Sequence, residues 1–400
     1  MHPERQVHPS QARSLWQQAV AEAGLVHQEP LLYTDTPPYT ALCTLTLPNG
    51  QRAATASGKG RNEDQAKLSA AYEALEHACC FVPKHHAGMH YLSLSINAFQ
   101  QSGFTSLAQF YEPNFFEQMD PNHPITWLPF RSIKDEGVAY LPWALFNPVF
   151  LESDDNPDDI QSEEMAYLTT GSGIAIGTSF EEAFIHGLSE VVERDATSTY
   201  LKQTFLQGIA PNALVFDTLP PRLQNMQSEL EKLSGHQLLL TRLSTRIAGF
   251  FAYQARMLGT DYLCGYGCSV DSEYALERAL LECKEGYDLT QGGTLKADYD
   301  PIEHDATLLR CAKNDLSHYA KTNAFKPEHF ITSEAPAAFT ERYQYLLQLC
   351  YAHSQPIYVN HFRQFKNGVT IVIVFVPESS YFFAVQKGYP FDLQCRGCWL

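Results

Sequence analysis

"TTGSGIAIGTSFEEAFIHGLSEVVERD", residues 169–195, lies near the middle of the chain. It reads as a glycine-rich loop holding Gly171, Gly173 and Gly177, followed by a helix. On that helix His186, Glu190 and Glu193 share one face, spaced by four and then three residues. Glu182 adds a carboxylate two turns before Glu190, and Arg194 follows Glu193 directly. Beside the polar stripe runs a second one, Phe184, Leu188, Val191 and Asp195, with Phe180 before it. The polar stripe therefore borders the face that packs inward.

Two other stretches share this plan. Gly58 and Gly60 precede a helix with Ser69, Glu73 and Glu76, and Gly265 and Gly267 precede one with Arg278, Glu282 and Glu285. Each has its own apolar stripe: Leu68, Tyr72, Leu75 and Cys79 in the first, Leu276, Leu280, Cys283 and Tyr287 in the second. One such helix alone reads as a wet surface. Three with the same spacing, the same preceding glycines and the same core-edge placement read as one site. That many carboxylates in one cleft would repel strongly and need cations. Hard divalent ions such as Mg²⁺ take carboxylate oxygens and bridge to phosphates. Arg194, Arg278 and the loop amides suit phosphate oxygens. The combination points to metal-dependent nucleotide chemistry, and no GxxxxGK[ST] loop or kinase signature set is present.

Composition bounds the rest. The chain has 400 residues, 44% of them hydrophobic and 12% aromatic, enough for a large core in one big domain or two fused halves. A net charge of -17 argues against bulk nucleic-acid binding. The N-terminus shows no apolar signal region, and the longest apolar run, "VTIVIVFV" at 369–376, suits a buried strand and not a membrane span. The expectation is a cytoplasmic chain whose ten cysteines are mostly reduced core residues. Cys395 and Cys398 form a lone CxxC, half of what a structural zinc site needs.

Along the chain, residues 10–24 read as an amphipathic helix, and residues 39–57 as a hairpin around Pro48-Asn49-Gly50. The acidic run at 152–164 reads as a surface loop. Further helices are expected near 222–234 and 338–353, and strands at 236–244, 249–258, 356–360, 369–376 and 381–385. The expected organisation is an N-terminal helix and hairpin over 1–50 leading into a catalytic domain over 51–400, with a tail from 387.

These motifs resemble the YcaO family. "SGKGRNEDQAKLSAAYEALEH" (57–77) looks like its SxxxExxE motif, residues 169–195 like its glycine-rich stretch and ExxxxxxxExxER, and "ALERALLECKE" (275–285) like its RAxxExxQ. The resemblance implies an α+β YcaO fold, mixed sheets with packed helices around a central ATP and Mg²⁺ cleft. It implies that Glu73, Glu76, Glu190, Glu193 and Glu282 ligate or order Mg²⁺. It also implies that Ser69, Ser172, Thr178, Glu182, Arg194, Arg278 and Glu285 contact the nucleotide. Departures are His77 where Arg is common, Ser172 and Thr178 where Asn is common, and Glu285 in place of Gln.

The implied activity is ATP-dependent O-phosphorylation of a peptide backbone amide. A Cys, Ser or Thr side chain then yields an azoline, sulfide a thioamide, and an amine an amidine. Implied partners are a peptide substrate and a leader-peptide-binding, TfuA-like or E1-like protein, with a homodimer possible and neither nucleic acid nor membrane. Azoline-forming members commonly end in a proline-rich tail, whereas this chain ends "YPFDLQCRGCWL". Residues 389–400 are expected to lie against the nucleotide cleft. Two rival readings are a double-stranded RNA-binding domain, from the hairpin, "GKG" and the helix after it, and a non-catalytic YcaO scaffold.

Overall fold

The structure is a computed structural model that describes residues 4–81, 91–108, 119–135, 137–146, 169–294 and 299–391. Helix α1 (Pro9–Glu22) is followed by short strands β1 (Val26–His27) and β2 (Leu31–Leu32). Strands β3 (Tyr39–Thr46) and β4 (Arg52–Gly60) form the expected hairpin and lead into α2 (Glu63–Phe81). Strand β5 (Leu92–Ser95), α3 (Ile96–Gln101), β6 (Pro124–Ser132) and β7 (Val138–Pro142) follow. Strand β8 (Ile174–Gly177) then feeds α4 (Phe180–Leu201). Beyond β9 (Asn212–Leu214) and α5 (Pro221–Ser234), strands β10 (Leu238–Leu243), β11 (Phe251–Met257) and β12 (Cys264–Ser269) lead into α6 (Ser272–Gln291). The last elements are α7 (Ala306–Ala312), α8 (Ser317–Thr322), β13 (Lys326–Glu328), α9 (Phe339–Ala352), β14 (Tyr358–Gln364) and β15 (Thr370–Phe375).

The main sheet runs β5-β6-β14-β15-β8, with β7 on β6. A four-stranded sheet carries β1 and β2 along one edge of β3 and β4 along the other, and a three-stranded sheet runs β10-β11-β12. Strand pairing is antiparallel throughout except between β9 and β13. Continuous burial of Thr370–Phe375 agrees with its apolar run, since β15 is flanked by β14 and β8 and covered on both faces. Among the described residues no helix is long and apolar enough to cross a membrane.

Two sequence expectations change. The glycines before the helices sit largely in strands: Gly58 and Gly60 in β4, Gly177 in β8, Gly265 and Gly267 in β12. The β3–β4 hairpin turns near residue 50, and α1 packs on α2 through a Trp16 Nε1 hydrogen bond to Ala71 O of 2.7 Å. The stretch at 381–385 is no strand; Phe382–Lys387 form a 3-10 turn. The Phe383 amide in it donates to Ser198 Oγ on α4, and the Ser380 amide just ahead of it to Asp195 Oδ1, instead of to a strand partner. The acidic run at 152–164 and the tail cysteines Cys395 and Cys398 lie outside the described residues.

Candidate active site: a carboxylate cleft at three helix faces

Helices α2, α4 and α6 each lie directly on the strand that precedes them, and glycine makes that approach possible. A Cβ at Gly58 would sit 2.0 Å from Ala70 N, one at Gly177 2.4 Å from Ala183 N, and one at Gly267 2.2 Å from Ala275 O. Each helix also touches the strand of the next unit: α2 meets β8, α4 meets β12, and α6 meets β4. The three strand–helix units thus close into a ring. Their polar stripes, each at the edge of its packed face, turn toward a common centre.

Electrostatics register that convergence. Burial pushes the Glu193 carboxyl up to about 7, with Glu282 and Glu190 adding to the shift and Arg278 and Lys59 opposing it. Glu73 is pushed up to about 8 by surrounding protein, then by Glu285, Glu190 and Glu282, against Lys59. Its side chain is exposed to solvent, which screens part of that effect. Glu76 lies well above the usual carboxylate range through burial, then Glu190 and Glu73. Side chains from all three helices therefore feel one another.

On α4, Glu190 Oε1 accepts the Gly173 amide at 3.2 Å and meets Arg194 Nη1 at 3.0 Å. Arg194 also donates to Thr170 O at 3.3 Å. The pair clamps the loop ahead of β8. In that loop Ser172 is buried and Gly173 has φ 85°, where a Cβ would strike Val374 O. Thr178 donates to Glu182 Oε2 at 2.5 Å. Ser69 is half-buried, one turn before Glu73. His186 is held well below its ordinary value by burial and by Arg278, Arg5, Lys59 and Arg194.

Sequence reasoning missed several groups. Lys59, in β4, lies 3.0 Å from both Glu282 and Glu285. The extra charge of Glu285 is therefore matched by a cation and not left loose. Burial opposes charge on Lys59, but those carboxylates raise its pKa overall. Arg5 reaches Glu182 at 2.6 Å from far upstream in the chain. Glu4 enters beside it, accepting from Ser269 Oγ and lying 3.8 Å from Arg342. Lys387 comes from the C-terminal side. Surrounding protein lowers its ammonium to about 8, Arg194 adding and Glu190 opposing, although the side chain keeps contact with solvent. The adjacency of Lys59 to the glycines was the one readable hint.

Glu73, Glu76, Glu190, Glu193 and Glu282 share the cleft but do not form the single ready-made cage expected of them. Among the described residues no three His, Cys, Asp or Glu side chains close on one ion-sized point. Like charges stand apart, and Lys59 and Arg194 take positions between them. Of the buried side-chain atoms that lack a hydrogen-bond partner among the described residues, two belong to the cleft residues named above: Glu193 Oε2 and Arg278 Nε. A carboxylate oxygen aimed at a cation and a guanidinium N–H aimed at a phosphate oxygen are what ATP and Mg²⁺ require, so the residues present fit that pair. A separate cleft of about 530 Å³ lies between residues 32–36 and another side of α6. Its Lys284 and Asp288 pair with each other at 2.5 Å, and Asp288 also accepts from Thr40 Oγ1.

Residues 57–380 match the family model described as "YcaO cyclodehydratase, ATP- and Mg²⁺-binding". The chain belongs to the YcaO family. No curated protein matches it in sequence. Among solved structures, the YcaO of Methanopyrus kandleri bound with AMPPCP and Mg²⁺ superposes with a TM-score of 0.69 at 18% identity, over 97% of this chain and 95% of that one. A heterocyclase in complex with substrate and cofactor gives 0.66 at 17% identity, over 94% of this chain and 52% of that one. A chain of the E. coli microcin synthetase McbBCD complex with pro-MccB17 bound gives 0.55 at 13% identity, over 88% and 87%. These likenesses are of fold. They agree with the α+β YcaO architecture expected from the motifs, and the family's ATP and Mg²⁺ agree with the cofactors expected.

Proposed function

We propose that this YcaO protein activates a backbone amide of a ribosomally made peptide by O-phosphorylation, acting as the cyclodehydratase component that forms azolines from Cys, Ser or Thr. The observation that carries the reading is the meeting of three carboxylate stripes around two buried, unpartnered atoms, Glu193 Oε2 and Arg278 Nε. ATP supplies the phosphoryl group that turns the poor amide oxygen into a leaving group, and Mg²⁺ the charge that holds its phosphates.

What the chain does follows from its own groups. Glu73, Glu76, Glu190, Glu193 and Glu282 would hold the metal. Arg194, Arg278 and Lys59 would hold phosphate oxygens, and Lys59 would give up a carboxylate partner to do so. Ser69, Ser172, Thr178, Glu182 and Glu285 line or brace the same cleft. Glu190 keeps the Gly173 amide and Arg194 fixed relative to each other, which is pre-organisation by hydrogen bonds made before any ligand arrives. Catalysis in such a site rests on positioning and charge neutralisation. A partner protein would present the peptide leader.

The test uses a Cys-, Ser- and Thr-rich peptide carrying heavy oxygen in its backbone amides, incubated with ATP and Mg²⁺. Label should pass into inorganic phosphate, with loss of one water per ring from the peptide. Unlabelled phosphate would overturn the reading. Label transfer that needs added sulfide or amine would move the product to a thioamide or an amidine.

A further inference from the structure

Asp195 is a charged residue in an otherwise apolar stripe of α4, and it is only 5% exposed. A carboxylate buried among apolar groups is costly unless something uses it. Its Oδ1 accepts the Ser380 amide at 2.7 Å and lies 3.8 Å from Arg246. One turn on, Ser198 Oγ accepts the Phe383 amide at 2.9 Å and lies 2.9 Å from Ser380 O. Arg246 also binds the carbonyl of Glu378, a non-glycine residue with φ 64°, which fixes the turn into this segment. At its far end Gln386 donates to Tyr266 OH at 2.8 Å, on β12.

The segment therefore spans from α4 to β12, two of the three units around the cleft. Between its anchors, Phe383 lies under the Arg194 guanidinium, 5.1 Å from ring centroid to Cζ. Lys387 is close enough to Arg194 and Glu190 for their charges to be felt. Glu190, Arg194 and Ser198 fall at successive four-residue steps on one helix, about 6 Å apart. A rigid helix thus carries the clamp on the loop at one turn and the anchor of the segment at the next.

We propose that Asp195 and Ser198 are positioning residues for amide activation, latching residues 378–391 onto α4 so that Phe383 braces Arg194 and Lys387 reaches the cleft. The proposal rests on the reading of the cleft as the ATP and Mg²⁺ site. It assigns a task to a side chain that neither metal nor nucleotide touches.

The test measures amide hydrogen exchange in nucleotide-free protein, and turnover with the azoline-forming peptide, in D195A, D195N and S198A. D195N keeps an oxygen acceptor for the Ser380 amide. D195A should speed exchange at Ser380, and S198A at Phe383, by about tenfold, the worth of one such hydrogen bond. In both, kcat/KM for ATP should fall, and D195N should recover most of both losses. S198A, a small change inside a helix, answers the question if D195A fails to fold. Unchanged exchange at both amides, or unchanged turnover in both variants, overturns the latch. A wild-type protein that binds no ATP with Mg²⁺ would instead overturn the reading of the cleft, and it would leave the exchange result to judge the docking alone.

Discussion

Glu193→Gln should flatten the pH dependence of stability in the nucleotide-free protein. Glu193 is 9% exposed, and its carboxyl rises from 4.5 to about 7 on folding. Because the folded value lies above the unfolded one, the folded protein holds the extra proton between those two pH values. The stability this site contributes is greatest at the acid end, declines as pH rises through that window and levels off above it. A shift of that size corresponds to about 3 kcal/mol. The direction is opposite to that of a salt-bridged surface carboxylate. Glutamine cannot titrate, so the variant should lose this part of the slope. Its amide also leaves a buried donor unpartnered where Oε2 now stands, costing about 1–3 kcal/mol at every pH. The readout is therefore the slope and not the absolute stability. Urea unfolding of both proteins at about pH 5 and about pH 8 gives it. Equal slopes would refute the account of Glu193 as a carboxylate buried among like charges.

Gly58→Ala should force α2 off β4, destabilising the fold by about 1–3 kcal/mol and weakening ATP binding together, as denaturation and titration would show. Lys59→Met should leave Glu282 and Glu285 without their cation; about 2 kcal/mol of stability should be lost, less than for a fully buried pair, because Lys59 and Glu282 are partly exposed. Lys387 loses its charge as pH rises through about 8. Peptide-dependent turnover should therefore decline above that pH, and Lys387→Arg, which stays charged, should remove the decline in a pH–rate profile.

Much of the site was legible because helical spacing is local. Three stripes of polar residue, Glu and acid at steps of four and three placed Glu73, Glu190, Glu193 and Glu282 at the edges of packed faces, and the structure puts them there. The glycines were seen but misread. They are strand residues whose missing side chains let a helix lie on its own strand, a demand that a period count does not contain. The cations were missed for a different reason. Arg5 and Glu182 are 177 residues apart, and Lys59 and Glu282 are 223 apart. Pairings of that kind arise from closure of the ring of three units, which no window of sequence displays. The stretch at 381–385 reads as a strand because a short apolar run has the same look in a strand and a turn, and Phe382–Lys387 form a turn. What sets it is the Asp195 and Ser198 acceptors on a distant helix.

The claim at the centre of this account is that carboxylates from three helices hold ATP through Mg²⁺. Calorimetric titration of ATP into the wild-type protein, with and without Mg²⁺, and into Glu190→Gln and Glu282→Gln, tests it directly. The account predicts binding that requires Mg²⁺ in the wild type and is lost in both variants, with folded structure retained. ATP binding of equal strength without Mg²⁺, or unchanged in both variants, would contradict it.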